Sequence, residues 1–194
     1  MKLNIGCGKD KKEGYINLDK GPGVGDVEYD LEHIGLFNTP LPWDDNTFDE
    51  IYASHIIEHL RHPLAIMQEL WRVAKPDCLL TVRVPYGSSD NAWEDPTHIR
   101  PYFLQSFAYF SQCAYGKADY GYKGDWQMVD RRLVMHEEIS AAVWQDRLED
   151  MLDMIMTARN CVEEFICTMR AVKPARPAGE KSPGVPISFE FKTP

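Results

Sequence analysis

Short apolar runs that end on glycine or a carboxylate, separated by polar loops, organise the first part of the chain. Leu3-Asn4-Ile5 runs into Gly6-Cys7-Gly8, and Tyr15-Ile16-Asn17-Leu18 ends on Asp19, each the pattern of a short buried strand meeting its loop. Val27-Glu28-Tyr29 before Asp30 predicts a third strand. Phe48-Asp49-Glu50-Ile51-Tyr52-Ala53, after the loop from Pro40 to Asn46, predicts a fourth. The period then changes: from Pro63, a favourable first helical residue, Leu64, Met67, Leu70, Trp71 and Ala74 recur at helical spacing until Lys75-Pro76. Leu79 to Val84 is nearly continuous in apolar character, which predicts a central fifth strand covered on both faces and ended by Pro85.

Pro101 opens a second helical pattern, with Phe103, Leu104, Phe107 and Phe110 on one face, and Tyr115 to Trp126 reads as a loop over a site. Trp126 to Val134 predicts a sixth strand. Ile139, Val143, Leu148, Leu152, Ile155 and Met156 predict a helix near 137–159, and Val162 to Val172 a seventh strand. From Lys173 the chain turns to Pro, Gly, Lys and Ser, a composition that predicts a mobile tail over 174–194 behind a single domain over 1–173. Strands alternating with helices imply an α/β fold with an open, mostly parallel sheet that binds ligands beyond the carboxyl ends of its strands. The loops after strands one to four therefore hold the candidate chemistry.

Composition narrows the function classes. The 194 residues, 44% of them apolar, suit one folded domain, and a net charge of −9 would repel a phosphate backbone. The longest apolar runs are too short for a membrane helix. The apolar start is broken by Asp10, Lys11, Lys12 and Glu13, which excludes a signal-peptide core and leads us to expect a cytoplasmic protein. Five cysteines without a C-x-x-C pair indicate reduced, mostly buried thiols rather than a disulfide framework or a thiolate zinc site.

Glycines after a strand let the backbone approach a ligand, although an ordinary tight turn uses them too. Asp19, thirteen residues after Gly6, offers two acceptor oxygens to the hydroxyls of a ribose. Lys11 stands where the dinucleotide pattern requires its third glycine, which disfavours nicotinamide binding; a cofactor without phosphates has no need of the helix dipole. Further along, Asp95-Pro96-Thr97-His98 with Arg100 forms a polar cluster. His98 is a candidate general base oriented by Asp95, and a loop histidine that caps the following helix is the equal alternative. Tyr86, Arg100, Tyr122 and Trp126 are candidates to line an acceptor site, with simple packing as the competing reading of the aromatics.

These segments resemble the class I S-adenosylmethionine-dependent methyltransferases, particularly the small branch called methyltransferase type 11. Leu3-Asn4-Ile5-Gly6-Cys7-Gly8 is similar to its first motif, and Gly14-Tyr15-Ile16-Asn17-Leu18-Asp19 to its ribose-binding strand. The stretch from Leu41 to His55 resembles the approach to strand four. Ile57-Glu58-His59-Leu60 with Glu69-Leu70-Trp71-Arg72-Val73 and Lys75-Pro76 resembles the helix and turn that follow. The resemblance implies a Rossmann-like three-layer sandwich with a mostly parallel seven-stranded sheet and an antiparallel last strand. It implies S-adenosyl-L-methionine as cofactor and S-adenosyl-L-homocysteine as product, with Gly6, Cys7 and Gly8 at the methionine part, Asp19 at the ribose, Asp30 and Leu31 at the adenine, and Ser54 and His55 bordering the methyl group. Residues 86–137 would supply the pocket for a small-molecule acceptor. No metal, nucleic acid or membrane is expected, and a homodimer is open. Two features depart from the family pattern: the third glycine of the first motif is missing, and Asp77-Cys78 replaces a common glycine pair.

Two other classes compete. His55-x-x-Glu58-His59 fits an inverted zinc-peptidase pattern, in which two histidines on one helical face hold zinc and the glutamate activates water. A non-catalytic cofactor-binding partner of another enzyme is the third reading.

Overall fold

In a computed structural model, which describes residues 1–114, 120–139, 147–179 and 184–192, the apolar runs become strands of one sheet. In chain order they are β1 (Lys2–Ile5), β2 (Ile16–Asp19), β3 (Val27–Glu28), β4 (Phe48–Ser54), β5 (Ala74–Pro85), β6 (Trp126–Met135), β7 (Val162–Ala171) and β8 (Ile187–Glu190). Across the sheet they run β3-β2-β1-β4-β5-β7-β6-β8. β1 pairs in parallel with β2 and β4, β2 with β3, and β4 with β5, so these carboxyl ends share one edge. β7 enters antiparallel between β5 and β6. Leu3, Ile5, Ile51, Leu80, Val82 and Phe165 are fully buried along these strands and form the centre of the core.

The eighth strand corrects two expectations, the seven-stranded sheet and the mobile tail. Ile187–Glu190 pairs in parallel with β6, from Arg131↔Ile187 to Val134↔Glu190. Upstream, Arg176 donates to the buried Asp125 carboxylate from its backbone N (3.0 Å), Nε (2.8 Å) and Nη2 (2.8 Å). Backbone pairing and one charge-assisted cluster hold a segment whose composition alone has too little apolar surface to fold.

Among the helices, α1 (Glu32–Phe37), α2 (Pro63–Val73), α3 (Asn91–Glu94) and α4 (Leu148–Thr157), α2 forms where its spacing predicts: Met67 and Leu70 are fully buried, joined by Ile66 and Val73, while Leu64 and Trp71 are partly buried and Ala74 already begins β5. The helix predicted after Pro101 is replaced by 3-10 turns at Ser106–Phe110 and Gln112–Ala114, leaving Phe103 44% exposed. Ser106 Oγ accepts the Phe103 N–H at 2.8 Å, a local bond that competes with helix formation. α4 lies inside the helix predicted near 137–159, of which 140–146 fall outside the described residues, as do 115–119 of the predicted site loop.

Parallel neighbours usually need a crossover of about a dozen residues or more, most often helical. Residues 6–15, joining β1 to β2, contain no helix. Side-chain amides do the bracing instead. Asn4 Nδ2 donates to Asn17 Oδ1 (2.9 Å) and to the Asp10 carbonyl (3.1 Å), Lys12 N–H donates to the same Asn17 oxygen (2.8 Å), and Asn17 Nδ2 donates to Asp26 Oδ2 (2.9 Å). Asn4 and Asn17 are both buried, so each unmade bond would leave a desolvated polar group.

Candidate functional site

The glycine loop serves two ends. Gly6 has φ +60°, and a Cβ there would lie 2.5 Å from Ile56 Cγ1, so this position is set by the protein's own packing. Gly8 has φ +49° with open space where a Cβ would point. Its N–H donates to Asp19 Oδ2 at 2.9 Å, while Gly21 N–H donates to Asp19 Oδ1 at 2.8 Å. Each oxygen keeps a further lone pair, so Asp19 is fixed in place and still able to accept two hydroxyls. Cys7 is buried, and burial followed by nearby Asp19 pushes its thiol pKa up.

All eight residues implied for the cofactor border two neighbouring cavities along the carboxyl edge. One of about 120 Å³ is lined by Asp19, Tyr29, Asp30, Leu31, Ile56 and Leu60, among others. Apolar walls with carboxylates at the rim suit an adenosine. Asp30 is held by the Glu32 N–H on its Oδ1, 3.0 Å away. The other, about 590 Å³, is lined by Gly6, Cys7, Gly8, Lys12, Ser54 and His55 with further residues that include Arg83. Its polar, lysine-bearing wall suits a zwitterionic amino-acid tail, and the open face of Gly8 leaves room that any side chain would fill. The residues present therefore fit an adenosyl amino-acid cofactor.

A third cavity of about 550 Å³ is lined by His55, Glu94, Asp95, His98, Glu163 and Glu164, so His55 borders both this space and the glycine-loop cavity. Antiparallel pairing explains the acidic wall: in register with Pro85 at the end of β5 stands Glu164, near the beginning of β7. His55 has φ +51°, a left-handed conformation uncommon for a side-chain-bearing residue. Its Nε2 lies 3.2 Å from Glu164 Oε1 and its Nδ1 3.4 Å from Glu58 Oε1. These carboxylates, Glu164 first, raise its pKa to about 9, so the ring is an imidazolium at neutral pH. Burial would raise the Glu164 pKa, but the bonds from His55 and Arg83 outweigh it and lower it; Arg83 Nε donates at 2.6 Å. Sequence reasoning missed Glu163 and Glu164, although two adjacent charges at the start of an apolar strand are a signal.

The candidate catalytic pair is only partly assembled. His98 and Asp95 share the third cavity, yet His98 Nε2 is 3.9 Å from Asp95 Oδ2, too long for a hydrogen bond. Asp95 Oδ1 instead accepts from the Thr97 hydroxyl (2.6 Å) and N–H (2.8 Å), which hold its pKa low, and His98 Nδ1 faces the Ala92 carbonyl at 3.3 Å. The four candidate acceptor residues are dispersed. Trp126 is fully buried and its Nε1 donates to the Met67 carbonyl, which makes it a core residue. Tyr86 is buried against Phe103. Arg100 and Tyr122 line a different cavity, of about 500 Å³, with Arg61 and Gln68.

The zinc-peptidase geometry requires a helix that is absent. Ile57–His59 is a single 3-10 turn and His55 precedes it in the left-handed region, so His55 and His59 do not share a helical face. His55 is spent on Glu58 and Glu164.

Residues 19–82 match the family model of the methyltransferase domain. A comparison with curated proteins finds no match. Among solved structures, a SAM-dependent methyltransferase from Archaeoglobus fulgidus is similar at 16% identity and TM-score 0.54, over 87% of this chain and 85% of that one. The YcgJ protein from Bacillus subtilis is similar at 16% identity and TM-score 0.51, over 89% and 92%. A protein solved with the Trm112 methyltransferase activator of Haloferax volcanii is similar at 15% identity and TM-score 0.52, over 90% and 83%. At such identities the likeness establishes the fold, and the matched segment runs from the last residue of β2 through most of β5. Among the described residues no helix is long and apolar enough to cross a membrane.

Proposed function

We propose that this chain is a class I methyltransferase whose cofactor is S-adenosylmethionine, a reading that the family match over residues 19–82 and the fold support, and that it methylates a small molecule bound in the cavity between His55, His98 and Glu164. The observation that carries this reading is the shared residue: His55 borders both the glycine-loop cavity and the acidic one, so a methyl donor held in the first would adjoin an acceptor held in the second. S-adenosylmethionine supplies an electrophilic methyl group that leaves in a single in-line displacement, so the protein's task is to position and to exclude water. Asp19 would hold the ribose through the lone pairs left by the Gly8 and Gly21 amides. Asp30 and Leu31 would flank the adenine, and Ser54 would border the methyl end. The imidazolium of His55, clamped by Glu58 and Glu164, fixes the partition between the cavities. An acceptor that must lose a proton finds His98, whose Nδ1 is turned to a carbonyl, with Nε2 bare as the base. Asp95 positions Thr97 rather than His98.

Isothermal titration calorimetry of S-adenosylmethionine and S-adenosylhomocysteine tests the cofactor half. We expect the wild type to bind both and Asp19→Ala to weaken both by about tenfold or more, as the loss of hydrogen bonds to a charged group implies. Wild-type silence, or affinity unchanged in Asp19→Ala, would sink the reading.

A further inference from the structure

The left-over chemistry of the carboxyl edge lies in three side chains that the methyl-transfer reading does not fully use. Glu58 is 2% exposed, and neither of its carboxylate oxygens has a hydrogen bond among the described residues. His55 Nδ1, 3.4 Å from Oε1, contributes charge without the alignment of a bond. One ligand atom each from Glu58, His59 and His98 lie within 4.8 Å of one another. The rings of His59 and His98 meet edge to face at 4.7 Å between centroids. Backbone pairing holds the two segments together, with Ile99 N–H donating to the Glu58 carbonyl at 2.8 Å.

The surrounding bonds fix which nitrogens are bare. The Thr97 hydroxyl has one proton and gives it to Asp95 Oδ1, so its oxygen, 2.9 Å from His59 Nδ1, must accept the proton on that nitrogen. The Ala92 carbonyl can only accept, so His98 Nδ1 carries its proton as well. Both histidines are thereby left in the tautomer with a free Nε2 lone pair, each oriented by an oxygen behind it, which is the arrangement of metal-binding imidazoles.

We propose that Glu58, His59 and His98 bind one divalent first-row transition metal ion of the zinc class. Two imidazoles and one carboxylate suit such an ion better than magnesium or calcium, and three protein ligands leave a position open. His59 lines the adenosine cavity and His98 the acidic cavity, so the open position lies where the two adjoin. Resting on the methyl-transfer reading, the site selects an acceptor with a hydroxyl or carboxylate oxygen. That oxygen takes the open position, and a hydroxyl there loses its proton more readily. With the ion bound, the His98 lone pair is spent on the metal, and the proton that a bound hydroxyl gives up would pass to solvent through the acidic cavity. This ligand set differs from the His55-x-x-Glu58-His59 pattern, since His98 replaces His55.

The test uses the metal-stripped full chain without cofactor, so that it stands apart from the calorimetry above. Equilibrium dialysis against Zn²⁺ and the visible spectrum of added Co²⁺ are measured for the wild type, Glu58→Gln, His98→Ala and Thr97→Ala, with circular dichroism for folding. We expect one equivalent bound by the wild type, loss of that equivalent in Glu58→Gln and His98→Ala, and about tenfold weaker binding in Thr97→Ala, the size expected for a residue behind a ligand. Glu58→Gln keeps shape and decides the matter if His98→Ala does not fold. A wild type that binds less than one equivalent, or a Glu58→Gln protein that binds as the wild type does, overturns the proposal.

Discussion

Asp125 and Glu58 are both withdrawn from water, at 0% and 2% exposure, and the protein treats them in opposite ways. Asp125 accepts from the Ser111 hydroxyl, the Gln112 N–H and three donors of Arg176. Glu58 has no hydrogen bond on either oxygen among the described residues. A saturated buried carboxylate costs little once made and is costly to break, so Asp125 reads as a structural tie between the chain's last segment and the sheet. An unsaturated one persists only where something beyond stability keeps it. Glu58 sits at the carboxyl edge among His55, His59 and His98; Asp125 sits away from all three cavities along that edge.

The sharpest way to break the contrast is to remove a partner on the structural side. Arg176→Met removes the charge and two of its donors, leaving Asp125 with the Ser111 hydroxyl and the backbone N–H groups of residues 112 and 176, and should cost about 3–5 kcal/mol in urea unfolding, the range for breaking a buried pair. Asn17→Ala removes an amide that braces the helix-free loop, and should cost about 1–3 kcal/mol together with cofactor affinity; unchanged calorimetry would show that the loop holds itself. Glu58→Gln, by contrast, should leave the stability of the metal-free protein within about 1 kcal/mol of the wild type, because it keeps the shape, has no hydrogen bond of its own to lose among the described residues, and gains from relieved desolvation what it loses in charge contact with His55. A large loss there would mean that Glu58 has the same structural job as Asp125.

Acid titration gives the smallest effect. Burial pushes the Asp125 carboxyl up, but the Arg176 bonds outweigh it and hold its pKa below the ordinary value. Its contribution is thus present above the unfolded carboxylate pKa, near 4, and is lost as pH falls through the folded value. In Arg176→Met that depression disappears, so the stability gap between variant and wild type should narrow as pH drops below about 4. Urea midpoints between pH 3 and 7 would measure it.

Much of the parallel half was legible because each element carries its own local pattern. Leu3 to Ile5, Phe48 to Ala53 and the α2 spacing of Leu64, Met67, Leu70 and Trp71 are short-range signals, and the cofactor loops follow directly from where such strands end. What was not legible depends on contacts far apart in the chain. Nothing near Glu164 announces that an antiparallel neighbour will carry it to the end of β5. Nothing near Arg176 announces Asp125. Trp126 looked like a site residue because aromatics beside glycines suit both roles, and only its bond to the Met67 carbonyl decides for the core. The helix after Pro101 had the right period, and a single Ser106 hydroxyl competing for the backbone went unweighed. His55-x-x-Glu58-His59 showed the right residue types with the wrong pairing, since His98 enters from a separate segment.

The short strand β8 has one more consequence, for self-association. By pairing in parallel with β6 from Arg131 to Val134, it occupies hydrogen-bonding groups that would otherwise line a free ladder. An uncovered strand of that length is a template on which another chain can dock. Four residues that leave the protein with a shorter outer edge thus act as a guard: a chain ending before Ile187 would offer the Trp126–Met135 strand to its neighbours, and light scattering should register more association in the shortened protein than in the longer chain.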